Sequence, residues 1–279
     1  MPKTVKASTT PPSKSNAHDG ASSVGRVFEV LDLFTLEQPT LRVDDVSALL
    51  GYTRSTSYRY VKALADAGLV APIGGGYYAL GSRAVELDRL LQLTDPLLHA
   101  GQAVMPTLVD KASDAALLLC SLYSDKVLCI HHEGPLALEH RGRMVSISRP
   151  RGMPFSLFSG AASLVILAHL APHRIKSIYL RHQLGIAQTG FAADWQTFRA
   201  LLARIRADGY AYSTGTFNHQ LAGLAVAAIT DDGEVLGSLT QVQSRDRVVE
   251  EQRPNVAERL REAAGRIAST VAKSRSIKR

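Results

Sequence analysis

The sequence predicts an α+β chain of two domains, a small mainly helical one followed by a larger one in which strands and helices alternate. A chain of 279 residues is long enough for two hydrophobic cores. Apolar residues recur at helical spacing in three short segments near the N-terminus, and two strand-like runs flank Gly74, Gly75 and Gly76. Beyond Asp95-Pro96, which should break a helix, strand-like and helix-like segments alternate.

Each predicted element has its own local signal. In the N-terminal part, Gly51 should end the second helix, because glycine accepts the positive φ of a tight turn. The pattern predicts helices over residues 23–35, 43–50 and 54–67, a loop over 36–42, and strands over 69–71 and 77–80. In the third helix, Tyr58, Val61 and Leu64 are the expected inward positions. Residues 82–93 should form a further helix.

The larger domain is predicted from shorter patterns. Pro106 should kink or restart its first helix, and Asp231-Asp232-Gly233 between two apolar runs predicts a hairpin. The expected strands cover 116–123, 126–131, 144–148, 223–230 and 234–242. The expected helices cover 159–170, 172–182, 195–207 and about 256–271.

The third helix carries the clearest functional signal. Two helices joined by a tight glycine turn can project the second into a DNA major groove, with the glycine-tipped hairpin as a wing beside it. The start of this helix presents hydroxyls and cations, which hydrogen-bond to phosphates and base edges. The candidate DNA-binding residues are Thr53, Arg54, Ser55, Thr56, Ser57, Arg59 and Lys62. The competing interpretation is a helical hairpin with a solvated polar face.

Composition restricts the classes of function. No apolar run reaches the roughly 18–20 residues that span a bilayer, and residues 1–20 lack the apolar core of a secretory signal. Only Cys120 and Cys129 are present, so no disulfide framework is expected. These features predict a cytoplasmic protein without a membrane partner. The net charge of +7 favours a polyanion or an acidic ligand without choosing between them.

Catalytic and metal-binding arrangements are not evident. The neighbouring His131 and His132 point to opposite faces of a strand, and Cys129 shares a face with His131 without an evident third ligand. The sequence contains neither a Gly-x-Ser-x-Gly elbow nor a phosphate-binding loop. We therefore expect no enzyme activity, no metal and no cofactor.

From about Ser23 to Ala272, the chain resembles the IclR family of bacterial transcriptional regulators. The start VGRVFEVLDLF is similar to the family's N-terminal pattern, and Ser47 stands where a small alanine is usual. The family's Gly-x-x-(Lys/Arg)-Ser-Thr-x-Tyr-Arg run is matched by Gly51, Arg54, Ser55, Thr56, Tyr58 and Arg59, and its wing by Gly76, Tyr78, Leu80 and Gly81. The resemblance implies a winged helix-turn-helix that binds a double-stranded DNA operator as a homodimer or tetramer.

The stretches 154–172, 205–216 and 222–242 resemble the family's GAF-like α/β effector-binding domain. The resemblance implies a small organic acid, aromatic acids included, near the start of the helix at Ser159. Free backbone N–H groups and the dipole of that helix would favour an anion. The candidate effector-binding residues are Phe158, Ser159, Gly160, Ala161, Asn218, Leu221, Ala222, Ser238 and Thr240. The lysine that the family often has after this glycine is absent, because Ala161 follows Gly160.

These observations predict a sequence-specific DNA-binding regulator whose operator binding responds to an organic acid. The expected segments are a disordered basic arm (1–21), a winged helix-turn-helix (22–81), a linker helix (82–95), an effector-binding domain (96–272) and a basic tail (273–279). The alternative is a small-molecule-sensing or enzymatic domain whose N-terminal module docks to a protein.

Overall fold

The computed structural model describes residues 23–109, 114–147, 151–215 and 218–277. The predicted basic arm and the end of the predicted basic tail lie outside these residues. The chain divides into two compact units between Leu93 and Thr94. Within the described ranges, every helix is too short or too polar to cross a membrane.

The first unit combines helices with a small antiparallel sheet. Its elements are α1 (Ser23–Leu31), β1 (Thr40–Arg42), α2 (Val43–Leu50), α3 (Arg54–Asp66), β2 (Val70–Gly74), β3 (Tyr77–Leu80) and α4 (Arg83–Thr94). The sheet order is β1-β3-β2. The prediction of a loop over 36–42 was wrong at its end, because Thr40–Arg42 pairs with β3. Three residues are too few to show a strand period.

Two glycines shape this unit. Gly51 has φ of 71°, and its N–H donates to the Ser47 carbonyl at 3.0 Å, which ends α2 as predicted. A Cβ on Gly81 would lie 2.1 Å from the Gly68 carbonyl oxygen, so only glycine lets the strand pass the end of α3. The core is formed by Val30, Leu41, Val46, Tyr60, Val61, Leu64 and Val70.

The second unit is built on a six-stranded antiparallel sheet with the order β8-β5-β4-β11-β10-β9. Its helices are α5 (Pro96–Val104), α6 (Pro106–Val109), α7 (Gly160–Ala168), α8 (Pro172–Gln188), α9 (Trp195–Asp208) and α10 (Arg253–Ile277). Its strands are β4 (Ala115–Tyr123), β5 (Lys126–Glu133), β6 (Ala137–His140), β7 (Arg143–Ser146), β8 (Pro154–Ser156), β9 (Ala211–Thr214), β10 (Leu221–Ile229) and β11 (Val235–Ser244). The predicted restart at Pro106 and the hairpin of β10 and β11 are confirmed.

The sheet separates two hydrophobic cores. On one face lies α7, all nine of whose residues are buried, backed by side chains such as Phe198 of α9 and Ile175 of α8. On the other face α5 packs with α10. Side chains alternate along a strand, so β11 directs Thr240 and Val242 towards α7. It directs Leu239, Gln241 and Gln243 towards α10.

Candidate DNA-binding surface and ligand cavity

One face of α3 is exposed and carries hydrogen-bond donors. It consists of Ser55, Tyr58, Arg59 and Lys62, which are spaced i, i+3, i+4 and i+7 and therefore lie on one side of the helix. We call these four residues the α3 face. The Arg59 guanidinium lies 5.3 Å from the centre of the Tyr60 ring, which supports its stem while its donors stay accessible. A hydroxyl, a phenol and two cations on a helix surface form a set that suits a DNA groove.

The start of α3 is exposed, but its side chains have local partners. The Thr56 N–H donates to the Thr53 hydroxyl at 3.2 Å, so Thr53 caps the helix. Their hydroxyls are 3.0 Å apart. The Arg54 Nε lies 2.9 Å from an Asp44 carboxylate oxygen, and both side chains are largely in solvent. An exposed pair of this kind is worth little, so Arg54 can exchange Asp44 for a phosphate.

Ser57 does not belong to the exposed surface, and its prediction as a DNA-binding residue is corrected. Its side chain is fully buried, and its hydroxyl lies 2.9 Å from that of Ser47 on α2. The Ser47 hydroxyl in turn donates to the Val43 carbonyl at 3.0 Å. Ser57 therefore joins α3 to α2 through two hydroxyl groups, and Ser47 fits the contact between the helices.

The rotation of α3 also corrects Tyr58. This residue was predicted to face the core, yet 55% of its surface is exposed. The inward positions are Ser57, Tyr60, Val61 and Leu64. The signal that could have identified this face is the pair Tyr60-Val61 one turn before Leu64, which fits the helical period better than Tyr58 does.

The wing is braced at its tip. Gly74, Gly75 and Gly76 all have positive φ, as the predicted turn requires. The Arg42 guanidinium donates to the Gly75 carbonyl at 3.0 Å and lies 4.5 Å from the centre of the Tyr77 ring. Arg42 thus links β1 to the wing, a role that the sequence did not indicate because its partners lie more than thirty residues away.

Tyr52, in the turn between α2 and α3, connects that turn to α1. Its hydroxyl donates to the Glu29 carboxylate, and its ring packs edge-on against Tyr60 at 5.6 Å. Burial, followed by the bond to the Glu29 carboxylate, raises the pKa of Tyr52 to about 12. The three helices are therefore held together by polar contacts as well as by their core.

In the second unit, a cavity lies between the sheet and the start of α7. We call it the α7 cavity. It has a volume of about 70 Å³, which is room for roughly five water molecules. Its lining consists of Leu118, Ile147, Phe155, Ala161, Ala162, Ser213, Gly215, Asn218, Leu221, Ala222, Gly223, Thr240 and Val242. Five of the nine candidate effector-binding residues therefore come together here: Ala161, Asn218, Leu221, Ala222 and Thr240.

The other four candidates, Phe158, Ser159, Gly160 and Ser238, lie outside the lining of this cavity. The Phe158 ring packs against His182 at 5.1 Å. Ser238 is fully buried within the sheet, opposite Cys120 and Ala227. Ser159 and Gly160 precede the lining residue Ala161, and Gly160 has φ of 81°, so it serves the turn into the helix.

The polar groups of the α7 cavity are few. The Ala161 N–H, expected to be free, donates to the Ser213 hydroxyl at 2.9 Å. The Asn218 amide oxygen accepts from the Gln220 N–H at 2.9 Å, which leaves its NH₂ group as a donor. The Thr240 hydroxyl is buried and has no hydrogen-bond partner among the described residues. The described lining contains no charged side chain, so hydroxyl and amide groups would have to recognise the ligand.

Comparison with known proteins agrees with both units. Residues 23–73 match the IclR helix-turn-helix domain, and residues 94–269 match the family described as bacterial transcriptional regulator IclR C-terminal. The regulator XynR of Escherichia coli is 22% identical over 86% of this chain and 93% of its own length. The regulator KipR of Bacillus subtilis is 20% identical over 89% of this chain and 96% of its own length.

Solved structures share the fold. An IclR transcriptional regulator from Silicibacter sp. TM1040 superposes with a TM-score of 0.74 at 22% identity, covering 90% of this chain and 96% of that one. An IclR homologue from Microbacterium hydrocarbonoxydans, complexed with 4-hydroxybenzoate, has a TM-score of 0.63 at 23% identity and covers 90% of this chain and all of that one.

A helix-turn-helix with a wing, joined to an α/β domain with a curled sheet, defines the class of DNA-binding transcriptional regulators with an effector domain. Within this class, the chain belongs to the IclR family. No enzyme family is indicated by these matches.

Proposed function

We propose that this regulator reads a specific operator through the α3 face, with Thr53, Arg54 and Thr56 contacting phosphates at the helix start. The observation that carries the proposal is the exposure of Ser55, Tyr58, Arg59 and Lys62 on one side of α3. Arginine pairs with guanine through two hydrogen bonds, and lysine and hydroxyl groups bind phosphates. The braced wing would lie along the sugar-phosphate backbone.

The proposed effector is a small organic acid in the α7 cavity. In this proposal the Thr240 hydroxyl, the Asn218 amide and Ser213 would bind its carboxylate, and the remaining lining would supply apolar walls. The complex of the Microbacterium homologue with 4-hydroxybenzoate supports an acid as the ligand class. The volume of about 70 Å³ favours a compact acid, since a larger one requires the walls to move.

We also propose self-association through α4. This helix has no buried residue, and its large apolar side chains Val85, Leu87, Leu90, Leu91 and Leu93 are exposed. An isolated helix of twelve residues is marginally stable in water. Pairing of two copies would cover these side chains and present two α3 helices to a near-palindromic site.

This proposal keeps the domain ranges predicted from the sequence, namely 22–81 for DNA binding, 82–95 for the linker and 96–272 for the effector. The protein would act in the cytoplasm, where its DNA target lies, and without catalytic activity. A first unit that docks to a protein instead of DNA is the competing function, and the following test separates the two.

The test is footprinting of the DNA upstream of the gene with the full chain. We expect a protected near-palindrome, and Arg59→Ala should abolish selective protection while Arg204→Ala should not. Arg204 is an exposed cation of the second unit, so Arg204→Ala removes the same charge as Arg59→Ala. Equal protection of specific and scrambled DNA at moderate salt would refute sequence-specific binding.

The effector proposal needs its own experiment. A thermal-shift screen of small aliphatic and aromatic acids should find one that raises the unfolding temperature of the full chain. Ala161→Leu fills the cavity and should remove that response. A ligand whose binding survives this substitution binds elsewhere.

A further inference from the structure

A second pocket lies on the opposite face of the sheet, between β9, β10 and β11 and the N-terminal part of α10. We call it the α10 pocket. Its volume of about 170 Å³ exceeds that of the α7 cavity. The lining combines arginines, glutamines and apolar walls: Tyr212, Ala222, Leu224, Gln241, Gln243, Arg247, Val248, Val249, Gln252, Arg253, Val256 and Arg259.

Three arginines line this pocket, and one of them has no carboxylate partner among the described residues. Arg247 pairs with Asp114 and Glu139, and Arg253 pairs with Glu250 at 3.0 Å. Arg259 is half-buried and forms no ion pair within the described part of the chain. The carboxylates that do pair are exposed on the outside, so their attraction for the arginines is weakened by solvent. The beginning of α10 adds a positive dipole end to the same place.

The guanidinium of Arg253 is positioned in advance. It stacks on the Tyr212 ring at 3.8 Å, and one of its terminal nitrogens contacts Glu250. Its Nε is buried and has no acceptor among the described residues. A buried donor without an acceptor is unusual in a folded protein, and stacking holds the planar guanidinium, with its remaining N–H groups, in a fixed orientation.

The glutamines extend the hydrogen-bonding surface. The Gln241 amide, which is buried, donates to the Gln243 side-chain oxygen at 2.8 Å, and the Gln243 amide reaches the Arg247 carbonyl at 3.4 Å. These bonds orient the two side chains along β11. Fixed amides next to three guanidinium groups provide more donors than a single carboxylate can use.

We propose that the α10 pocket is a second binding site, distinct from the α7 cavity, for a small anion with two or more negative groups. Polycarboxylates and phosphorylated metabolites share the chemistry that this pocket recognises, namely several oxyanion groups within one compact molecule. The chain therefore senses two ligands of different character, one in a largely apolar cavity and one among arginines.

The test is calorimetric titration of the full chain, without DNA and at constant ionic strength, with citrate in one series and pyrophosphate in another. We expect saturable binding, and Arg259→Gln should weaken it by roughly tenfold or more, because a charged hydrogen bond is lost. Preference for citrate or pyrophosphate identifies the class of anion. Arg266→Gln is the matched control, since Arg266 is an exposed cation of α10 outside the pocket.

Ala161→Leu, which fills the α7 cavity, should leave this binding unchanged, so that failure of the first site is distinguishable from failure of the second. Absence of saturable binding of both anions overturns the proposal. An equal loss in the Arg259 and Arg266 variants also overturns it, because it shows attraction by net charge alone.

Discussion

Two buried hydroxyl groups on β11 allow the effector site to be tested with a matched pair of substitutions. Ser238 and Thr240 lie on the same face of the strand, and neither hydroxyl has a hydrogen-bond partner in the described ranges. Only Thr240 lines the α7 cavity. Thr240→Val keeps the branched shape and removes the hydroxyl, and Ser238→Ala removes the other hydroxyl without reaching the cavity.

The expected magnitudes follow from the burial of the two groups. A hydrogen bond from the Thr240 hydroxyl to the carboxylate of the effector contributes about 1.5–3 kcal/mol, so its loss weakens binding by roughly tenfold or more. Neither substitution should lower the free energy of unfolding in the absence of effector by more than about 1 kcal/mol, because each removes a buried polar group without a protein partner. That limit corresponds to about 2–4 °C in a unit of this size.

The assay combines thermal unfolding of the free protein with titration of the acid that the screen identifies. Thr240→Val should weaken binding of the acid, whereas Ser238→Ala should bind it like the unsubstituted chain. Equal affinity in all three proteins would show that Thr240 does not contact the effector. A loss of several kcal/mol of stability in either variant would show that its hydroxyl has a structural partner.

Three further predictions concern the first unit. Ser57→Ala should lower stability by about 1 kcal/mol in urea unfolding, and operator selectivity should persist once the protein is folded, because Ser57 is buried against α2. Gly81→Ala should cost about 1–3 kcal/mol through its clash with the Gly68 carbonyl, whereas Gly265→Ala in α10, where a Cβ meets nothing, should stabilise by up to about 1 kcal/mol. The pKa of Tyr52 is raised to about 12, so its contribution to the free energy of unfolding is complete below pH 10.0 and is lost as the pH rises towards about 12. Absorbance titration should show one phenol that ionises near pH 12 and is missing in Tyr52→Phe.

The helices of the first unit were predictable from sequence, and the Tyr60-Val61 pair indicated the inward face of α3, but the burial of Ser57 was not predictable. Hydrophobic spacing identified a helix ending near Ala67, and α3 ends at Asp66. Spacing cannot show that a serine is buried, since the burial of Ser57 depends on Ser47 ten positions earlier on another helix. That contact turns Tyr58 outwards.

Among the strands of the second unit, some were predictable from the sequence and others were not. The hairpin of β10 and β11 was predictable because a local Asp-Gly turn lies between two long apolar runs. The strands β6, β8 and β9 were missed, since each has only three or four residues. Short strands carry too few residues to show a period.

The lining of the α7 cavity was predictable only in part. A local motif directed attention to the start of α7, and Ala161 does line the cavity. Leu118, Ile147 and Ser213 come from other strands or their flanks, and their sequence contexts give no reason to place them together. A site assembled from separate elements depends on the strand register, which single motifs do not contain.

The two proposed sites share the strands that separate them. Along β9, Ser213 lines the α7 cavity and Tyr212 lines the α10 pocket, and along β11 the same alternation places Thr240 on one side and Gln241 on the other. A ligand that shifts these strands from either face changes the wall of the other site. By thermodynamic linkage, if the acid changes the affinity for the polyanion by some factor, the polyanion changes the affinity for the acid by the same factor. Two ligands bound across one sheet would then act on DNA binding as coupled signals, and the strength of the coupling depends on how far β9 and β11 move.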